Sequence, residues 1–368
     1  MLINEITDSS VIVRVNYDLP SLHDTARIVD SLNTLKLLHG NGNKIIILSH
    51  WGRPKNQDIQ LSMRNQLQTI SDIFSKHSLP VPLFYNQFKS FEDTKVFVGD
   101  QAQDSIILLE NTRFDSREQS VDNNLQRELA LEYAKIGKYF VDEAFAVSHR
   151  SEVTNTTIKE YMMNCLGVSF VHETEVLARV IEHPERPLII VMGGAKLETK
   201  LPLIQKMIVK ADKLILCGLL AFTFIQAERE LYPHLDSVDI AFPFDLVETN
   251  FLPIAKDILL NYPDKIVLPL DFEYNEEVPL DVGNKSLEKF IEVIQNARTI
   301  FWNGTLGKYE QKPFDNGTRK LAQYIGEIPN CFSVVGGGDT VSALDTHTLA
   351  NFTFVSMGGG ATLEFLGK

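Results

Sequence analysis

The sequence predicts an α/β protein with two doubly wound parallel sheets, one in each half of the chain. Three observations predict it. Short runs rich in Val, Ile, Leu and Phe recur along the chain, helix-length segments separate them, and the runs are apolar throughout rather than alternating with polar residues. A strand covered on both faces reads that way, and such strands belong to parallel sheets with helices on either side.

In the first half the runs are VIVRV (11–15), KIIILS (44–49), KVFV (95–98), SIILLE (105–110) and KYFVDEA (138–144). In the second they are PLIIVM (187–192), KLILC (213–217), KIVLPL (265–270), TIFWN (299–303), FSVV (332–335) and FTFVS (352–356). Between the halves, SEVTNTTIKEYMMNCLGVSF (151–170) turns from polar to apolar, and VHETEVLARVIE (171–182) has the spacing of a connecting helix. The expected division is therefore 1–168 and 169–368. No internal repeat or low-complexity segment interrupts the rhythm.

The chain has 368 residues, 44% hydrophobic and 23% charged, with 35 Lys+Arg against 48 Asp+Glu and a net charge of -13. That composition excludes disorder and collagen, and the acidic balance without a basic run excludes the electrostatic footprint of a nucleic-acid binder. No secretory leader and no apolar run of membrane-spanning length is visible. Cys165, Cys217 and Cys331 form no C-x-x-C or Cys/His pair, so they read as buried hydrophobes rather than disulfide or zinc ligands. A cytoplasmic, monomeric protein without nucleic-acid or membrane partners is expected.

In open parallel sheets ligands bind beyond the carboxyl ends of the strands. Four second-half strands run into glycines: Gly193-Gly194 with Lys196, Asn303-Gly304, Gly336-Gly337-Gly338 with Asp339 and Thr340, and Gly358-Gly359-Gly360. One such loop is a tight turn as readily as a ligand site. Four at corresponding strand ends read as a polyphosphate cradle, since glycine lets backbone N–H groups approach an anion. None matches the G-x-x-x-x-G-K-[ST] loop or a full G-x-G-x-x-G. Asp339 suits a Mg²⁺ ion that bridges phosphates, with a helix N-cap as its alternative role. Lys196 and Lys200, four apart, are expected on one helix face around an anion, or else as solvated surface charges.

The first-half strands run instead into Asn16 and Asp18, then Arg27, His50 and Arg53, Arg113, and His149-Arg150. Arginines gathered at strand ends suit a small anion carrying phosphate and carboxylate, although any one arginine could equally be a surface ion pair. Arg14, inside its strand, reads as structural.

Nine segments in order, VRVNYDLP, ILSHWGRP, LLENTRF, DEAFAVSHR, PERPLIIVMGGAK, DKLILCGLLAFTF, TIFWNGTLGKYE, VVGGGDT and SMGGGATLEFL, resemble the signatures of the phosphoglycerate kinase family across nearly the whole chain. The resemblance implies two Rossmann-like lobes joined by a hinge helix. The first would bind 3-phosphoglycerate through Asn16, Asp18, His50, Arg53, Arg113 and Arg150. Arg27 would reach the transferred phosphoryl group. The second lobe would bind ADP or ATP with Mg²⁺, using Lys196 and Lys200 for phosphates, Asp339 for the metal with Thr340 beside it, Gly218 and Asn303 for the nucleotide, and Glu310 at the ribose. Backbone donors would come from Gly336, Gly337, Gly338, Gly359 and Gly360, the last two serving catalysis with Arg27 and Lys196. The implied reaction is reversible phosphoryl transfer between 1,3-bisphosphoglycerate and ADP, a step of glycolysis. The rival reading is a kinase-like protein with weak or lost catalysis, kept for nucleotide binding or interaction.

Departures from the family pattern are Asn16 and Asp18 in exchanged places, Asp142-Glu143 for Asn-Asp, Leu219 for a glycine against the adenine, and Lys308 for an apolar residue. The segment between Asp271 and Asp281 is shorter than usual, and the sequence lacks the family's usual tail, whose last residues return toward the first lobe.

Overall fold

The computed structural model describes residues 1–23, 25–55, 57–233 and 240–367, so Lys368 lies outside the described residues. The chain divides into two compact units, Met1–Thr174 and Glu175–Lys368, and the division falls inside the helix Val168–Glu182.

Among the described residues the first unit holds six parallel strands: β1 (Ser10–Arg14), β2 (Lys44–Leu48), β3 (Leu83–Tyr85), β4 (Ile106–Leu109), β5 (Tyr139–Asp142) and β6 (Met163–Leu166). Their order across the sheet is β3-β4-β2-β1-β5-β6. Successive residues point to opposite faces of a strand, and here both faces are covered. Val11, Val13, Ile45, Ile47, Leu108 and Val141 enter one core cluster, while Ile12, Ile46, Leu48, Ile107, Leu109 and Phe140 enter another. This is why the strands read as unbroken apolar runs.

KVFV (95–98) is a correction. It lies in the helix Phe91–Asp100, not in a strand. Ser90 Oγ accepts from the Asp93 N–H at 3.0 Å, and Glu92 and Asp93 occupy the first turn, where carboxylates favour a helix start. These local signals override the β propensity of Val96, Phe97 and Val98.

The second unit begins its sheet with β7 (Leu188–Met192), β8 (Lys213–Leu216) and β9 (Ile266–Val267). A hairpin of β10 (Phe272–Asn275) and β11 (Val278–Val282) follows, and the sheet is completed by β12 (Thr299–Asn303), β13 (Phe332–Gly336) and β14 (Phe354–Ser356). The main sheet, ordered β14-β13-β12-β7-β8-β9, is again parallel throughout. Strand order reverses between β7 and β12, which makes the crevice at their carboxyl ends the expected ligand site of such a sheet.

The hairpin fills the segment between Asp271 and Asp281. Asp271 accepts from the N–H groups of Lys285 (3.1 Å) and Ser286 (2.7 Å) at the start of the helix Asn284–Ile294. Asp281 accepts from Gly317 N–H (2.8 Å) at the start of the helix Asn316–Glu327. Each end of the hairpin thus satisfies amides that a helix leaves unpaired.

Candidate active site

In the first unit the groups past the carboxyl ends of β1, β2, β4 and β5 form a connected set. The Tyr17 N–H donates to Ser49 Oγ (2.8 Å), tying the loop after β1 to the loop after β2. Asp18 Oδ1 accepts from Gly52 N–H (2.8 Å), and its Oδ2 lies 3.5 Å from His50 Nε2. Burial opposes the Asp18 charge, but His50, the Gly52 amide and Arg27 outweigh it and hold the carboxyl well below the usual range.

His50 is fully buried, and its Nδ1 lies 3.1 Å from Arg14 Nη2. A guanidinium only donates, so Nδ1 accepts and a neutral ring carries its proton on Nε2, toward Asp18. Burial lowers the His50 pKa to about 4, with Arg14 and Arg113 acting in the same direction and Asp18 against them.

Arg27, on the short helix Ala26–Asp30, donates to the Asp18 carbonyl. Arg150 is half-buried, and its pKa is lowered by burial, then by the neighbouring positive charges of Arg113 and Arg53. Arg53 is exposed. Asn16 Oδ1 is buried without a hydrogen-bond partner, so it has capacity left for a polar ligand. The fold therefore gathers Asn16, Asp18, Arg27, His50, Arg53, Arg113 and Arg150 around the same strand ends.

Two residues that the sequence left aside join them. Arg14 is fully buried, donates to Thr154 Oγ1 (2.9 Å) as well as facing His50, and has Glu152 Oε2 at 3.7 Å. Glu152 holds the Arg113 guanidinium through Nε (3.0 Å) and Nη2.

In the second unit the loops after β7 and β12 meet at the strand-order reversal. A Cβ on Gly304 would stand 2.1 Å from Gly193 O, and one on Gly193 would stand 2.2 Å from Thr305 O, so glycine alone fits at both. Gly218 also packs against Gly194, with 2.7 Å from its built Cβ to Gly194 N. Lys200 Nζ donates to Asn303 Oδ1, and Asn303 Nδ2 is buried without a partner. Burial lowers the Lys200 pKa to about 8, opposed by Asp339.

Lys196 is exposed and stands in extended conformation immediately before the helix Leu197–Lys210, while Lys200 lies within that helix. The expected pair on one helix face is thus corrected to one lysine in the helix and one leading into it. Gly336 ends β13, and Gly337 (φ +97°) faces Asn303 Nδ2. Gly337 holds the N-cap position that Asp339 might have taken; Asp339 is exposed in the first turn of Gly338–Ser342. Thr340 is buried and its Oγ1 accepts from Gly304 N–H (2.7 Å). Gly359 (φ +54°) and Gly360 follow β14, the edge strand, and nothing crowds Gly359.

The sequence profile of the phosphoglycerate kinase family matches residues 3–368. The chain belongs to the phosphoglycerate kinase family. It is 34% identical to a phosphoglycerate kinase of Thermus thermophilus, over 97% of this chain and 94% of the relative. With one of Mesomycoplasma hyopneumoniae it shares 30% identity over 98% and 93%. The solved phosphoglycerate kinase of Coxiella burnetii superposes with a TM-score of 0.81 at 27% identity, covering 98% of this chain and 94% of that one.

Within this phosphoglycerate kinase fold the second unit has a cavity of about 370 Å³ lined by Gly194, Gly218, Leu219, Phe222, Leu246, Phe272, Leu306, Lys308, Glu310 and Asp339, among others. Two of the departures from the family pattern, Leu219 and Lys308, meet at its wall. Its largely apolar lining with a few charged groups suits a flat aromatic ring with a polar tail.

Proposed function

We propose that this chain catalyses the family reaction, reversible phosphoryl transfer between 1,3-bisphosphoglycerate and ADP to give 3-phosphoglycerate and ATP. The observation that carries the reading is the pairing of two anion-binding sets in one chain. Arginines surround Asp18 and His50 at the strand ends of one unit, and a glycine crevice with Lys200 and Asn303 lies at the strand reversal of the other. Phosphoryl transfer needs little covalent chemistry from the protein; it needs positioned donors that balance charge on the moving group.

In this reading Asn16, Asp18, His50, Arg53, Arg113 and Arg150 bind the phosphoglycerate. Arg27 and Lys196 follow the transferred group, with backbone donors from Gly359 and Gly360. Lys200, Asn303, Thr340 and the glycines at 336–338 hold the phosphates. Gly218 and Glu310 serve the base and ribose ends of the cavity. Among the described residues no cluster of three or more His, Cys, Asp or Glu could hold a metal alone. The donor chemistry instead fits Mg²⁺ arriving with the nucleotide, touched by the single exposed carboxylate of Asp339 and keeping most of its waters. No described helix is long and apolar enough to cross a membrane. A monomer of the cytoplasm, bending at Val168–Glu182 to exclude water, completes the proposal.

The test is a coupled assay with 3-phosphoglycerate, ATP and Mg²⁺ on purified protein. Turnover above background is expected, and Arg27→Ala should lower kcat by at least about a hundredfold with less than about threefold change in either KM. Background turnover in the parent protein would reject the reading in favour of a binding protein. Loss of substrate affinity with intact kcat would reject the role of Arg27.

A further inference from the structure

We infer that Glu152 is a positioning residue of the acid-metabolite site, selecting which edge of the Arg113 guanidinium is offered to the phosphoglycerate. The inference rests on the proposed reaction.

Arg113 has five N–H donors in a rigid plane. Glu152 Oε1 takes Nε at 3.0 Å and one N–H of Nη2, while Gly52 O takes one of Nη1 at 2.7 Å. One N–H remains on each terminal nitrogen. Those two are the donors left for a carboxylate or phosphate, away from the Nε edge that Glu152 occupies.

Glu152 is itself held. It is 3% exposed, its Oε1 also accepts from Gln119 Nε2 (2.8 Å), and its Oε2 accepts from Asn155 Nδ2 (3.3 Å) and lies 3.7 Å from Arg14 Nη2. A buried carboxylate held at both oxygens has little freedom to swing, so it fixes the plane of Arg113. The same carboxylate stands beside Arg14, whose Nη2 meets His50 Nδ1 and thereby directs the Nε2 proton toward Asp18. Two ligand-facing groups are thus oriented from one hub. A lone surface ion pair would be solvated and mobile; this one is buried and joined to both.

The experiment measures equilibrium binding of 3-phosphoglycerate by calorimetry, with steady-state KM and kcat alongside, for the parent protein, Glu152→Ala, Glu152→Gln and Glu152→Asp. Glu152→Ala should weaken 3-phosphoglycerate binding and raise its KM about tenfold, a loss of ~1.4 kcal/mol, while KM for ATP stays within about twofold. Glu152→Asp, which keeps the charge, should recover part of the loss. If Glu152→Ala does not fold, Glu152→Gln keeps the shape and should still raise the KM for 3-phosphoglycerate about threefold without moving that for ATP.

Unchanged 3-phosphoglycerate binding in the variants overturns the inference while leaving the proposed reaction standing. Tighter binding would show that Glu152 merely competes with the ligand, and it overturns the inference too. Equal changes for both substrates would mark a purely structural role with the same consequence. A parent protein that binds no 3-phosphoglycerate overturns the proposed reaction and this inference together.

Discussion

Lys200 shows how a single side chain carries both the fold and the chemistry of the second unit. Its ammonium is drawn off solvent to reach Asn303 Oδ1, and burial brings its pKa down to about 8. In free enzyme it therefore begins to lose its charge just above neutral pH. On the nucleotide side kcat/KM should fall as pH rises through about 8, and Lys200→Arg should remove that limb, because an arginine stays charged. A pH profile for ATP that is flat to pH 9.5 in the parent protein would reject the assignment. Residue identities in the site were partly legible from sequence, because an arginine or glycine at a strand end is a local signal. Glu152 was not, since its meaning depends on Arg113, 39 positions away, and on Arg14 inside an apolar strand. Nothing in VIVRV distinguishes a buried arginine that orients His50 from one that merely fills space.

At the scale of elements, long buried strands such as β2 and β7 were visible because parallel pairing buries both faces. The strand β3 is only three residues long, LFY, and the edge strand β6, MNCL, is broken by Asn164 with Met163 62% exposed, so neither stands out as a buried run. KVFV failed for the opposite reason: a helix cap at Ser90 outweighed a β-like composition. KIVLPL contracts to the two residues of β9, since Pro269 has no N–H to continue the ladder. The two carboxylates flanking the hairpin are a device of this scale. Replacing Asp271 by Ala strips the acceptor from the Lys285 and Ser286 amides and from Ser286 Oγ. The expected cost is about 1–2 kcal/mol of stability, seen as a shift of the urea midpoint with an unchanged slope. A midpoint equal to the parent's would show that water replaces the cap without loss.

Across the whole molecule, several buried ionisable groups set how stability follows pH. Burial raises Glu118 and Glu143 to about 8, so each contributes stability in its protonated form that is lost as pH climbs from about 4.5 toward 8. His50 has the opposite sense: its pKa is depressed to about 4, so stability falls as pH drops from about 6.5 toward 4. Above about pH 4.5 the two glutamates outweigh the one histidine, so these groups place maximal stability near about pH 4.5, with a decline toward pH 8. Glu143 Oε1 accepts from Ser169 N–H at the start of the Val168–Glu182 helix, while its Oε2 is buried without a partner. The stability of Glu143→Gln relative to the parent should therefore rise by on the order of 3 kcal/mol between pH 5.5 and pH 8.5. Equal effects at both pH values in denaturant titrations would refute that account. The hairpin between Asp271 and Asp281 has a different bearing on the molecule. Because each carboxylate is fastened to its own helix start, the chain between them hangs from two fixed points. Its length can change while the anchors stay and the sheet remains intact. The tip at Glu276-Glu277, exposed and away from both anchors, is accordingly the place in this chain to splice in a reporter peptide.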